Sequence, residues 1–407
     1  MTTLPFSRTM ALSQTIAAPA RKLDAEVTKE AFVPTSRRFG GTSVLPRISV
    51  EGGRVTVEPA TGERYLVLKS LGEGAMGEVA LVEDRDIGRK VARKRLLPGS
   101  GAADVLRFVD EVRMVGKLDH PGIVPIHDVG LDEHGEFFFV MKYVEGESLE
   151  SVVERIRDRD PATLAAWDPA RRVHAIIAIL RALDYAHASG LLHRDIKPAN
   201  VMVGRYGEVM LMDWGVSRPI GGARDEVVEL APGSRTTAEQ RVASTGTGAI
   251  VGTPIFMSPE QAAGATDTLT PSSDLYAVCL MLHELLTGQH LHDGIDDLHA
   301  LLTRVMTMPA PSVGELVTSG LSKELGYFMQ KGLALAPKDR WQSAGAMADE
   351  LLAILDGRCR VQCPFTLTKR TVAGFGRFFD RRPFVALSIL LGFAGTFLAL
   401  AAIVVLR

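Results

Sequence analysis

Between residues 191 and 212 short apolar runs alternate with dense polar groups. Leu191-Leu192, Val201-Met202-Val203 and Val209 to Met212 are apolar, and His193, Arg194, Asp195, Lys197 and Asn200 fill the first interval. Runs of this length predict three strands, and Gly204-Arg205-Tyr206-Gly207 predicts the tight turn of a hairpin between the last two. The polar groups then sit at strand ends. Upstream, YLVLKSLGEGAMGEVALVED from Tyr65 predicts two strands joined by a glycine turn, and Lys90 to Leu96 predicts a third. From about residue 168 helical patterns dominate: VHAIIAILRALDYAHASG and SSDLYAVCLMLHELLTG each end at a glycine, as helices often do. The layout is a small strand-rich lobe followed by a larger helical one.

The two ends read differently. Residues 1–60 are rich in Ser, Thr and Pro with no sustained periodicity, which predicts a mostly disordered arm. Residues 384–406, FVALSILLGFAGTFLALAAIVVL, carry no charge or amide; as a helix they extend roughly 34 Å, enough for a bilayer core, and predict a transmembrane helix. The linker 357–383 holds Arg358, Arg360, Lys369, Arg370, Arg377, Arg381 and Arg382 against Asp380 alone. By the positive-inside rule that flank, and the globular part with it, is expected in the cytoplasm. The expectation is a single-pass, tail-anchored protein of the cell membrane, its C-terminus on the far side and no external sensor domain. Ser388, Gly392 and Thr396 recur every fourth residue, a stripe that could pack two copies into a homodimer.

Composition narrows the partners. The chain has 407 residues, 46% of them hydrophobic, and a formal net charge of −2, so no global electrostatic argument favours nucleic acid. Its cysteines, Cys279, Cys359 and Cys363, are odd in number and widely placed, as expected in a reducing compartment. His290, His292 and His299 have no partner cysteine and read as surface histidines, not a zinc site.

The polar groups at the strand ends suggest chemistry. A hairpin brings Asn200, before one strand, near Asp213, after its partner, with Asp195 in the loop leading in. Oxygen ligands gathered so suit a hard cation such as Mg²⁺. Gly72, Gly74 and Gly77 have the G-x-G-x-x-G spacing that lets backbone N–H groups approach phosphates. A strand, not a helix, follows at Glu78 to Val82, which argues against a Rossmann reading. In KVARKRL, Ala92 and Lys94 share one face, so Lys94 faces inward while Arg93 and Arg95 face water. A buried ammonium needs an anion. In the predicted helix from Ala103 to Leu118, Glu111 lies about 60° from Phe108 at the edge of the apolar stripe, whereas Asp110 lies nearly opposite, so Glu111 is the expected partner.

Together these features resemble the protein kinase family, as an α+β, bilobal fold over about residues 64–356, similar to the eukaryotic-like (Hanks-type) serine/threonine kinases of bacteria. The domain is bounded at 61–356. What the resemblance implies is specific. Leu71, Gly72, Gly74, Gly77 and Val79 match the loop over ATP. Lys94 matches the lysine on the α and β phosphates, and Glu111 its helix partner. Met141 matches the gatekeeper and Lys142 to Val144 the hinge for adenine. Asp195 matches the acceptor of the substrate hydroxyl proton, Lys197 a γ-phosphate contact, Asn200 and Asp213 the ligands of Mg²⁺, with Mn²⁺ as a substitute. Glu260 in SPE closes the activation segment 213–260, with Arg340 as its ion-pair partner, and Asp274 matches the acid that anchors the catalytic loop. Lys197 and Thr253 resemble the serine/threonine-specific subgroup, so protein Ser and Thr hydroxyls are the expected acceptors.

Departures are few: Met76 at the loop tip, Trp214 for the usual Phe, Ser258 for Ala. The segment from Asp213 to Glu260 is long and rich in flexible residues. By resemblance Arg194 receives a phosphate from it, which makes Thr245 and Thr247 candidate autophosphorylation sites. The alternatives are a catalytically silent kinase-fold scaffold, which usually lacks one of the Lys, Asp or Asn positions, and a small-molecule kinase, which has no use for a peptide platform.

Overall fold

The computed structural model describes residues 47–51, 54–58, 63–74, 77–132, 134–214, 218–220, 254–265, 268–358, 367–368 and 371–372. It opens with a hairpin of β1 (Arg47–Glu51) and β2 (Arg54–Glu58), antiparallel, with Ile48 opposite Val57 and Val50 opposite Val55. This hairpin lies within the stretch 1–60 that was read as a mostly disordered arm. The alternation of β-branched residues from 48 to 57 is a strand signal that the surrounding Ser, Thr and Pro obscured; residues 1–46 lie outside the described residues.

The smaller lobe is an antiparallel sheet of β3 (Tyr65–Gly74), β4 (Gly77–Asp84), β5 (Arg89–Arg95), β6 (Ile126–Leu131) and β7 (Phe137–Lys142), in the order β3-β4-β5-β7-β6. The two-residue period of β5 serves two cores. Val91 packs with Tyr65, Ala80, Val82, Phe138 and Val140 on one face. On the other, Phe139, which pairs with Lys94, packs with Leu96 and with Phe108 of α1 (Ala102–Val115). Lys94 is thereby aimed between sheet and helix. Arg93 and Arg95, expected in water, are both partly buried: burial lowers the pKa of Arg93, and Arg95 bridges Glu78 at 3.0 Å and Asp132 at 3.4 Å.

The larger lobe continues through β8 (Gly146–Ser148), α2 (Leu149–Arg157), α3 (Pro161–Ala166) and α4 (Pro169–Ala188). Then follow β9 (Leu191–Leu192), β10 (Val201–Gly204), β11 (Val209–Leu211) and β12 (Arg218–Pro219), with β10 and β11 forming the antiparallel hairpin and β12 pairing with β9. The later helices among the described residues are α5 (Pro259–Ala262), α6 (Pro271–Thr287), α7 (Leu298–Thr307), α8 (Val313–Thr318), α9 (Lys323–Gly332) and α10 (Ala344–Leu355). Helix α6 is apolar nearly all round and accordingly lies in the centre of the core, buried from Ser272 to Leu285. Gly288, at φ 74°, ends it in the left-handed conformation that glycine adopts without strain.

Packing around α6 overturns one expectation. His290 and His292 are 5% and 2% exposed, and Phe256 meets the His290 ring edge-on at 4.7 Å; only His299 is at the surface. Among the described residues no helix is long and apolar enough to cross a membrane. The segment 384–406 lies outside them.

Candidate active site

The cleft between the lobes is built around Lys94. Its Nζ donates to Glu111 Oε1 at 2.9 Å and Oε2 at 3.1 Å, and to Asp213 Oδ1 at 3.4 Å. Burial works against the ammonium, but the Asp213 and Glu111 carboxylates outweigh it and raise the Lys94 pKa above its ordinary value. Burial pushes the Glu111 carboxyl up, and Lys94 opposes that. Two acids sharing one ammonium favour its charged form, so Lys94 is a fixed cation. The Asp213 side chain is 45% exposed to the cleft; the protein packed around it works to raise its pKa, and the charges of Lys94 and Lys197 hold it below the usual range.

Below it, the segment after β9 is pinned by its backbone. Asp274 of α6 accepts from the His193 N–H at 3.0 Å and the Arg194 N–H at 2.8 Å, and its Oδ2 lies 2.8 Å from His187 Nε2. Burial tends to raise the Asp274 pKa; His187 and these N–H groups bring it down. Arg194 and Asp213 have φ of 70° and 61°, left-handed values rare in residues with a side chain. The His193 ring ties both strained places together. Nδ1 accepts from the Asp195 N–H at 3.2 Å, so the proton is assigned to Nε2, which donates to the Met212 carbonyl at 3.2 Å. Full burial keeps the ring neutral by lowering its pKa, and Trp214 covers it with ring centroids 4.5 Å apart. Trp214, 1% exposed, thus fills its site in place of a smaller ring.

Asp195 Oδ2 accepts from Lys197 Nζ at 2.8 Å and Asn200 Nδ2 at 2.9 Å, and Asn200 Nδ2 also donates to the Asp195 carbonyl at 2.8 Å. Both acceptors fix the orientation of the Asn200 amide. Its nitrogen is committed, which leaves its oxygen for a ligand.

Two of the three loop glycines differ in what demands them. A Cβ at Gly77 would lie 2.2 Å from the Arg95 carbonyl, so the neighbouring strand requires glycine there; at Gly72 nothing lies within 4 Å, and protein packing gives no reason for it. Gly74 ends β3, Val79 is half-buried and Leu71 is 40% exposed. Of the hinge, Lys142 donates its backbone N–H to the Pro125 carbonyl at 3.1 Å, and Val144 is buried with Val124 and Met210.

At the far end of the activation segment, Arg340 and Glu260 form a two-pronged pair, Nη1 to Oε1 at 2.8 Å and Nη2 to Oε2 at 2.9 Å. Thr245, Thr247 and Thr253 lie outside the described residues. The sequence reading did not single out three residues that the fold adds: His187 on Asp274, Ser273, whose Oγ donates to Glu260 Oε1 at 2.6 Å, and Gln261, whose amide reaches Arg194. Only Gln261 had a local signal, the S-x-x-Q capping-box spacing from Ser258.

A cleft with a caged lysine, two strained acidic turns and a buried anchoring acid defines a protein kinase domain. That family matches residues 65–352, well over half of the chain, and the chain belongs to it. A probable serine/threonine-protein kinase of Streptomyces coelicolor is 33% identical over 332 residues, 80% of this chain and 45% of the relative. Serine/threonine-protein kinase PknB of Mycobacterium tuberculosis is 32% identical over 309 residues, 74% of this chain and 45% of its own length. PknD of Protochlamydia amoebophila is 29% identical over 324 residues, 75% of this chain and 31% of its own. The chain spans less than half the length of these relatives.

Proposed function

We propose that this chain is a serine/threonine protein kinase, transferring the γ-phosphoryl group of ATP to Ser or Thr hydroxyls of itself and of other proteins. One observation carries the reading: every group that phosphoryl transfer needs is present in one cleft, with Lys94 held by Glu111 and Asp213 and with Asp195 held by Lys197 and Asn200. A scaffold that had lost turnover would have no reason to keep all six. The relatives named as serine/threonine kinases, and Lys197 itself, support the choice of acceptor.

The chain's own groups divide the work. Asp195 takes the proton of the attacking hydroxyl as its oxygen bonds to phosphorus and the bond to the ADP oxygen breaks. Lys197 and Lys94 offset charge on the phosphates, and the N–H groups of Gly72 and Gly74 approach them from above. Asn200 through its oxygen and Asp213 as a carboxylate kept ionised fit Mg²⁺, or Mn²⁺, which neutralises phosphate charge when bound.

The reading extends to the ends of the chain. Residues 384–406 insert as a transmembrane helix with the kinase domain on the cytoplasmic side, the basic linker 357–383 supports that orientation, and the small-residue stripe supports pairing of two copies. Protein substrates are then met at the membrane; no feature favours nucleic acid.

The test is intact-mass spectrometry of the full chain in detergent, stripped of phosphate and incubated with Mg²⁺ and ATP beside Asp195→Asn. Stepwise gain of phosphate in the parent alone is expected, with the variant slowed about 10²- to 10⁴-fold. Peptide mapping should find Thr245 and Thr247 among the sites. Parent and variant both remaining unphosphorylated while binding ATP would favour the scaffold. Flotation of the full chain, but not of residues 1–383, with liposomes checks the anchor.

A further inference from the structure

The carbonyl of Arg194 is held by a side chain that the phosphotransfer reading does not use. Arg194, at φ 70°, directly precedes Asp195. Its N–H is fixed by Asp274 Oδ1 at 2.8 Å, and its carbonyl accepts from Gln261 Nε2 at 2.8 Å. The other end of the same amide, Oε1, accepts from the Ser258 N–H and from Ser258 Oγ, both at 3.0 Å. Gln261 is the third residue of α5, and its Oε1 bond is one half of a capping box, a task that Glu performs equally well. The Nε2 bond lies outside that motif. It joins the strained peptide before Asp195 to the turn that closes the activation segment.

We propose that Gln261 is a positioning residue: its amide clamps the Arg194 carbonyl to the Ser258–Ala262 turn and so holds Asp195 in one orientation. The reason is mechanical. A left-handed residue with a side chain persists only where its surroundings over-determine it. Asp274 fixes the N–H side of the Arg194 residue, and Gln261 is what fixes the carbonyl side, the side that leads to Asp195. The turn that closes the activation segment is thereby joined to the proton acceptor through one amide. The proposal rests on the phosphotransfer reading.

The experiment compares Gln261→Glu and Gln261→Leu with the wild-type full chain, measuring kcat, KM for ATP and melting temperature. Glu keeps the acceptor for the Ser258 N–H and loses the donor to Arg194. Gln261→Glu is expected to melt with the wild type, keep its KM and lose about tenfold in kcat, the worth of one such hydrogen bond. As pH falls toward the carboxyl range its kcat should recover relative to wild type, because a protonated carboxyl can again donate to the Arg194 carbonyl. Gln261→Leu should lose kcat without that recovery. Wild-type kcat in Gln261→Glu would overturn the proposal, as would a loss of kcat matched by an equal loss of melting temperature. A wild type without turnover would strike the phosphotransfer reading instead. Hydrogen exchange over residues 191–200, which needs no activity, then decides the clamp: faster exchange in Gln261→Glu upholds it and unchanged exchange overturns it.

Discussion

Two ion pairs of one chemistry, Lys94–Glu111 and Arg340–Glu260, are both buried, yet only one leaves anything for a ligand. Arg340 donates from Nε to the Ala334 carbonyl, from Nη1 to Glu260 and the Ser272 carbonyl, and from Nη2 to Glu260 and the Leu335 carbonyl, while the Tyr276 ring covers its face at 4.7 Å. All five of its N–H groups are thus used, and its side chain is 0% exposed. Lys94 is 11% exposed; its short contacts go to one carboxylate, and its third partner, Asp213, lies at 3.4 Å on the cleft wall. A saturated pair fastens two segments. A cation kept charged by two acids, one of them 45% exposed and held only at 3.4 Å, is a binding group. Burial does not separate the two; what does is whether the partners are sealed in the core, as around Arg340, or open to the cleft, as at Asp213.

The comparison breaks most decisively at Lys94. Lys94→Met should cut kcat/KM for ATP by about 10²- to 10³-fold, as loss of one phosphate-facing donor does elsewhere, with a smaller change in stability than at Arg340, because Glu111 can take up a proton. Steady-state kinetics with a thermal melt checks both halves. Arg340→Met should do the reverse at the level of the fold, costing roughly 3–5 kcal/mol by leaving Glu260 and three carbonyls without their donor. The double variant Arg340→Met/Glu260→Leu should regain part of that loss in urea titrations.

Acid sharpens the contrast. Burial tends to raise the Glu260 pKa, and Arg340 and Ser273 bring it below its ordinary value. A carboxyl lowered on folding contributes stability that is present above its unfolded pKa, about 4.3, and lost as pH falls through the folded value. The stability gap between wild type and Arg340→Met should therefore narrow below about pH 4.

The smallest effect is expected at the buried histidines. Burial, with His292 beside it, brings His290 to about 3, and burial with Arg304 brings His292 to about 4. A histidine kept neutral by folding contributes stability that is full above its unfolded pKa, about 6.5, and falls as pH drops toward the folded value. His292→Phe should flatten the stability of the chain between about pH 6.5 and 4. A variant with the wild-type slope would place His292 outside the core.

Much of this was legible locally. The β10–β11 hairpin follows from two apolar runs and a four-residue turn, and the choice of Glu111 over Asp110 follows from helical geometry alone, since one lies at the edge of the buried stripe and the other opposite it. The hairpin at 47–58 was hidden by the composition of the residues before it. His290 and His292 were misjudged because burial of a polar ring depends on distant Phe256 and on the packing around α6, which no local pattern reports. Arg93 and Arg95 were placed on the correct face, but that face carries a core of its own.

By itself the sequence determined which residues could be strands, helices and turns, that Lys94 faces inward, and which charged groups crowd the ends of the central strands. These are matters of period and chemical type, carried by neighbours in the chain. Only the tertiary structure decided how far each charge is satisfied. Arg340 meets partners up to eighty residues away, Lys94 is left facing an acid on the opposite wall, and the Gln261 amide ends on the carbonyl beside Asp195. Whether a charge is sealed in the core or faces the cleft depends on long-range packing that brings partners from separate elements to one point, and that distance is not written in any local run of residues.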